Sequence, residues 1–305
     1  MAQWIIERLT STVKVAALTV LVIFFLFSEM SAQSKVIEGL SYSSVTYGDE
    51  IKYAVYLPSK YDSSARSYPV LYLFHGLGNN ENAWIQYGDM KRLMDAMYSN
   101  EAIVPMIVVM PNARNSWFID DIHSDFPFET IFTGEFIDHI DSAYRTRPEK
   151  KFRALGGLSM GGYGALILAF KNPNLVSSIF SLSPGIWTDE TIQSLNNEDY
   201  LRTFDNLYTT DPDQRLTDRW KSHSIHHQAK VKSQSDLSNV KYYITSGDDD
   251  VGISAATAEL HIIFKNRNVP HEYRVYDGGH TWEYWRKTFP EAVRFISDEF
   301  QRGVE

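Results

Sequence analysis

Apolar residues along this chain follow two rhythms. Short runs that are continuously apolar or alternate with polar residues occupy 51–57, 70–74, 106–110, 152–158, 178–182, 242–245 and 273–276. Their lengths, with their aromatic and β-branched residues, predict strands. Between them, 89–98, 130–144, 162–171, 254–266 and 282–300 carry apolar residues at helical spacing, which predicts helices with one face toward a core. Strand, helix, strand repetition predicts an α/β fold with a mostly parallel central sheet and helices on both faces. The stretch 187–238 breaks the rhythm, being polar, dotted with aromatics and rich in Asp, Asn and His. It reads as a helical insertion over one edge of the sheet. No repeat, low-complexity tract or Gly/Ser linker interrupts 33–305, so one domain is expected there.

Ahead of that body, Arg8 and Lys14 precede an apolar run over 15–27. That run falls short of the roughly 20 residues a spanning helix needs and suits the core of a signal peptide. Small residues at Ser31 and Ala32 predict cleavage after Ala32, with the mature chain starting at Gln33, although Met30 stands where a small residue is preferred. An uncleaved N-terminal anchor is the alternative. Either way the body is expected outside the cytoplasm, secreted or periplasmic, and after cleavage no stable membrane span is expected.

Composition narrows the chemistry. With 44% hydrophobic and 14% aromatic residues the chain can build a large core. Lys and Arg number 29 against 38 Asp and Glu, a net charge of -9. That balance argues against a nucleic-acid partner, because no basic excess exists to neutralise phosphates. The absence of cysteine excludes disulfides, thiolate metal sites and a Cys nucleophile. Oxygen and nitrogen side chains must therefore act on a neutral or weakly polar substrate, and no cofactor is expected.

In a parallel sheet, ligands bind outside the carboxyl ends of the strands. Immediately after the run 152–158 stands Gly157-Leu158-Ser159-Met160-Gly161, the G-x-S-x-G pattern of a nucleophile elbow. A serine on so sharp a strand-to-helix turn takes strained backbone angles, and its flanks approach neighbouring backbone too closely for side chains. Met160 and Gly161 would stand at a helix N-terminus, where free N–H groups and the dipole favour a developing oxyanion. Serine at its ordinary pKa needs a base to take its proton and a carboxylate to orient that base. Both follow in chain order: Asp248-Asp249-Asp250 after the run 242–245, then His280 after Asp277-Gly278-Gly279. All three aspartates share one loop, so the residues alone leave the acid open. A calcium loop is the competing reading of that run, but matching oxygen ligands at alternate positions are missing.

Gly157 to Ala165, His75-Gly76-Leu77-Gly78 and Gly278-Gly279-His280-Thr281-Trp282 together resemble the esterase D group of α/β-hydrolases, which includes feruloyl, acetyl-xylan and tributyrin esterases and S-formylglutathione hydrolases. The resemblance runs from about Tyr53 to Phe300, with the motifs in family order. It implies an α/β-hydrolase fold. It also implies that Asp250, third after Gly247, is the triad acid, with Asp248 and Asp249 as fallbacks. The oxyanion donors it implies are the N–H groups of Leu77 and Met160, and Gly76 and Gly78 independently permit the sharp loop such a donor needs. His75 is expected to brace that loop rather than to act as a base.

On the substrate side, Trp84, Trp117, Phe118 and Trp187 are expected in loops after strands, where they would line an aromatic cleft for a planar acyl group or a sugar face. Trp282 and Trp285, at helical spacing, are expected in the core. His223, His226 and His227 are expected to be solvated residues of the insertion, not a metal site, since no carboxylate completes a ligand set. The expected function is a secreted serine carboxylesterase that cleaves acyl esters, of feruloyl or acetyl type, from a carbohydrate or small alcohol. Its rivals are an acyltransferase of the mycolyltransferase type, an S-formylglutathione hydrolase-like thioesterase, which the export signal disfavours, and a non-catalytic carbohydrate-binding protein.

Overall fold

The computed structural model describes residues 33–204 and 207–302, so the expected signal segment lies outside the described residues. In chain order, strands β1 (Lys35–Ser43), β2 (Glu50–Leu57) and β3 (Val70–Phe74) lead to helices α1 (Ala83–Gln86) and α2 (Met90–Ser99). Strand β4 (Ile107–Pro111) is followed by α3 (Phe128–Ile131), a π-helical turn (Phe132–Phe136) and α4 (Ile137–Ala143). Then come β5 (Arg153–Leu158), α5 (Met160–Lys171) and β6 (Ser178–Leu182). The insertion supplies α6 (Asp189–Ser194), α7 (Asn197–Phe204), α8 (Asp218–His223), α9 (Ile225–Val231) and α10 (Gln234–Ser238). Finally β7 (Lys241–Gly247), α11 (Val251–Asn266), β8 (His271–Tyr276) and α12 (Trp282–Arg302) complete the chain.

The eight strands form one sheet in the order β1-β2-β4-β3-β5-β6-β7-β8. β1 and β2, and β2 and β4, pair antiparallel; all other neighbours are parallel. Because successive side chains point to opposite faces, each central strand feeds two cores. Val70, Tyr72 and Phe74 of β3 enter one core, and Leu71 and Leu73 enter the other. The second core is closed by Met90, Met94 and Met97 of α2 and by Trp285, Phe289, Val293 and Ile296 of α12. On the first face lie α3, α4, α5 and α11, with Trp220, Tyr200 and Phe204 of the insertion.

Three expectations need correction. Strand β1 was not legible, because it is an edge strand with only intermediate or exposed positions, and its pairing register shifts between Ile37 and Leu40. The expected continuous helix over 130–144 begins at Phe128 and carries the π-helical turn. Finally, the insertion does not sit over a sheet edge. It leaves between the interior strands β6 and β7 and packs on α5 and α11. That placement explains why α5 is apolar all round: every residue from Met160 to Phe170 is buried, one side on the sheet and the other under the insertion.

Candidate active site

Ser159 sits between the end of β5 and the first turn of α5 with φ 53° and ψ −120°, a conformation that costs a non-glycine residue on the order of 1–3 kcal/mol. Its neighbours hold it there. The Ser159 N–H donates to Leu182 O at 2.9 Å, and the Ser159 carbonyl accepts from Gly185 N–H at 2.9 Å and Tyr163 N–H at 3.0 Å. A Cβ on Gly161 would stand 2.6 Å from Phe74 O, so α5 can start this close to β3 only with glycine at that position. The result lifts the Ser159 hydroxyl off the carboxyl end of the sheet.

Loops after β7 and β8 bring the other two groups to it. His280 Nε2 lies 2.9 Å from Ser159 Oγ, and His280 Nδ1 lies 2.7 Å from Asp250 Oδ2. Asp250 is 6% exposed, while the His280 side chain is 37% exposed, so the carboxylate is shielded and the imidazole faces the entrance. The edge of Trp285 meets the His280 ring at 4.9 Å. The three aspartates have separate positions. Asp250 faces the imidazole, Asp248 Oδ1 accepts from Gly278 N–H at 3.1 Å, and Asp249 is exposed. Of the three, Asp250 is the one whose carboxylate meets the His280 ring.

After β3, buried His75 donates from Nδ1 to Gly76 O at 2.9 Å and accepts the Ala113 N–H on Nε2 at 3.1 Å. These partners assign its proton to Nδ1. Burial drives its pKa down to about 4, partly offset by the bond to Gly76, so it stays neutral and pins the loop to the end of β4. A Cβ on Gly76 would lie 3.7 Å from the Ser159 Cβ, which puts the loop directly against the serine. Among the described residues, the N–H groups of Leu77 and Met160 donate to no main-chain oxygen outside helices and strands. Asn115, which the sequence reading missed, accepts the Gly78 N–H at 2.9 Å and braces the loop from the β4 side. Its only sequence signal was its place after a strand.

The aromatic cleft requires correction. Trp84 is 1% exposed and donates from Nε1 to Phe74 O at 2.9 Å. Trp117 and Phe118 have φ of 55° and 61°, a turn that sends both rings inward. Phe118 stacks on Phe74 with centroids 4.2 Å apart. Trp117 donates to Thr203 O at 3.0 Å and packs against Gly185, beneath the loop that holds the Ser159 carbonyl. These three rings support the site from below and do not line it. Trp187, half-buried against Phe204, is the one of the four with partial access to solvent. Trp285 is core as expected, and Trp282 is partly buried against the same core.

Two of the three histidines of the insertion are buried rather than solvated, while the His227 side chain is 34% exposed. His223 and His226 are each 5% exposed, because α8 and α9 turn them toward α5 and α11. His223 Nε2 accepts from Lys171 Nζ at 3.1 Å, His226 Nε2 bonds Ala256 O at 2.8 Å, and His227 Nε2 lies 3.0 Å from Asp189. Their partners diverge, so they share no ligand centre. Asp248, Asp249 and Asp277 bring three carboxylates within 4.8 Å of one another, all exposed. No helix among the described residues is long and apolar enough to cross a membrane.

A mixed eight-stranded sheet covered by helices, with a serine on a strained turn after its fifth strand, defines an α/β-hydrolase. More narrowly, the chain belongs to the family described as "Putative esterase", which matches residues 44–296, and is a carboxylic ester hydrolase. It is similar to an acetyl esterase of Caldicellulosiruptor saccharolyticus, 28% identical over 77% of this chain and 86% of that protein. It is also similar to an endo-1,4-beta-xylanase/feruloyl esterase of Xylanibacter ruminicola, 33% identical over 48% of this chain, although the match spans 21% of that longer protein. Among solved structures, a ferulic acid esterase superposes with a TM-score of 0.75 at 28% identity, covering 88% of this chain and 99% of that one.

Proposed function

We propose that this chain is an exported serine carboxylesterase that hydrolyses feruloyl or acetyl esters of carbohydrates through an acyl-enzyme on Ser159. The observation that carries the reading is the relay Asp250–His280–Ser159, with contacts of 2.7 and 2.9 Å. His280 Nε2 takes the Ser159 proton as Oγ attacks the ester carbonyl, and Asp250 holds the ring with Nδ1–H toward itself and stabilises the imidazolium. The oxyanion forms between the N–H groups of Leu77 and Met160, each worth roughly 3 kcal/mol in the transition state. His280 then returns the proton to the departing alcohol, and water, activated by the same imidazole, releases the acid. In this reading Trp187, the one of the four expected aromatics with partial access to solvent, borders the acyl group. The acetyl and feruloyl esterases among the relatives support the choice of acyl group.

The test is the initial rate of hydrolysis of methyl ferulate and p-nitrophenyl acetate, with Ser159→Ala as the blank. Cleavage that disappears in Ser159→Ala is expected, and a variant retaining most of the activity refutes the assignment. A methyl ferulate rate comparable to the acetate rate identifies a feruloyl esterase; cleavage of acetate alone identifies a short-acyl esterase. Export rests on the run over 15–27 and the small residues Ser31 and Ala32, and N-terminal sequencing of secreted protein should read from Gln33.

A further inference from the structure

A line of aromatic rings leads away from the imidazole. Trp285 meets His280 edge-on at 4.9 Å, Trp282 meets Trp285 at 5.3 Å, and Tyr87 lies against Trp282 at 5.8 Å with ring planes 37° apart. Exposure rises along this line. Trp285 is 6% exposed, Trp282 is partly buried, and Tyr87 is 51% exposed. One exposed tyrosine calls for no explanation; one that ends a continuous file of rings starting at the triad histidine does.

The exposed end is also firmly built. Trp84, buried beneath, meets Trp282 edge-on at 5.4 Å. Arg286 of α12 donates to Tyr87 O at 2.7 Å, so the backbone carrying Tyr87 is fastened to the same helix that carries Trp282. Gly88 leaves Trp84 just enough room, since a Cβ there would lie 2.8 Å from its ring. Tyr87 thus projects from a rigid junction rather than from a loose loop.

Resting on the esterase reading above, we propose that Tyr87 and Trp282 form a stacking platform for a sugar ring in the alcohol half of the ester. The assignment to that half follows from proton transfer. The leaving oxygen must lie at His280 Nε2 to be protonated, so the alcohol occupies the side of the site that is continuous with the His280 loop, and Trp282 is two residues further on. Tyr87, 51% exposed, with the accessible part of Trp282 beside it, offers an apolar, weakly negative ring surface, which suits the C–H face of a neutral pyranose. The net charge of -9 disfavours an acidic polysaccharide.

Two measurements on the full protein test this. First, Tyr87→Ala, an exposed site whose loss leaves the core intact, is expected to raise KM for a feruloylated or acetylated xylo-oligosaccharide about 3- to 10-fold. Its kinetics on methyl ferulate and p-nitrophenyl acetate should stay at wild type, and Tyr87→Trp should restore the oligosaccharide KM. Second, calorimetric titration with unesterified xylohexaose and cellohexaose is expected to show weaker binding by a similar factor in Tyr87→Ala. Equal KM values and equal sugar binding in wild type and Tyr87→Ala overturn the platform, as does an equal loss on every ester. Tyr87-dependent sugar binding in a protein that cleaves no ester keeps the platform and removes the esterase reading instead.

Discussion

A Cβ placed on Gly247 would stand 1.9 Å from the carbonyl oxygen of Gly278. The loop that carries Asp250 and the loop that carries His280 therefore cross where only a hydrogen atom fits. Two further bonds tie the crossing, Asp249 N–H to Gly278 O and Gly278 N–H to Asp248 Oδ1, each at 3.1 Å. The Asp250–His280 contact depends on this crossing as much as on the two side chains. Gly247→Ala must push the loops apart, and a displacement of about 1 Å costs on the order of 100-fold. We expect kcat/KM for p-nitrophenyl acetate to fall by at least that factor while far-UV circular dichroism stays native. A wild-type rate would show that the crossing is not what aligns the triad.

The three neighbouring aspartates separate by rate. Asp250→Asn should lower kcat by about 10⁴-fold, because the amide favours the wrong imidazole tautomer. Asp248→Ala removes only the tie to Gly278 and should give a smaller loss. Asp249→Asn, at an exposed position, should stay within about 2-fold of wild type, in keeping with a surface substitution worth no more than about 0.5 kcal/mol. Steady-state kinetics of the three single variants decides this, and a large loss confined to Asp249→Asn contradicts the assignment.

Asn115 is a positioning residue for the loop beside Ser159. Asn115→Ala frees Gly78 and lets the Leu77 N–H drift. Its expected cost is about 10-fold in kcat with KM little changed, below the roughly 100- to 1,000-fold loss of a whole oxyanion donor. A change in KM alone would point to substrate contact instead.

Stability should decline on the acid side of neutrality, partly through His223. Burial first, and then the nearby Lys171 charge, lower its pKa to about 4, against about 6.5 in the unfolded chain. Below 6.5 the unfolded state takes up a proton that the folded state does not accept until about pH 4. The stability linked to neutral His223 is therefore complete above pH 6.5 and is lost as the pH falls toward 4, by at most about 1.4 kcal/mol per pH unit. His75, also lowered to about 4 by burial, adds to this in the same window. Urea unfolding at pH 7 and pH 5 should show a smaller difference for His223→Gln than for wild type. An identical difference would mean that the histidine does not titrate in this window.

Much of the fold was readable because both faces of the central sheet are buried, so β3 and β4 appear as unbroken apolar runs with clear ends. β1 was unreadable for the opposite reason: an edge strand that is half in solvent carries no such signal. The serine elbow was readable because its steric demand admits so few residues on either side of Ser159. The aromatic cleft was misjudged because position after a strand says where a backbone goes, not which way a ring turns. The left-handed turn at Trp117 and Phe118 sent both rings into the core.

By itself, the sequence determined the alternation of strands and helices, the strained serine turn and the order serine, acid, histidine, since each rests on local sterics or on residue types along one stretch of chain. Tertiary structure alone decided which of three aspartates meets His280, that the insertion covers α5 instead of an edge, and that exposed Tyr87 ends the file of rings from His280 through Trp285 and Trp282. Those outcomes depend on where separate loops cross and which helix covers which, and distances between residues far apart in the chain are set only when the sheet assembles.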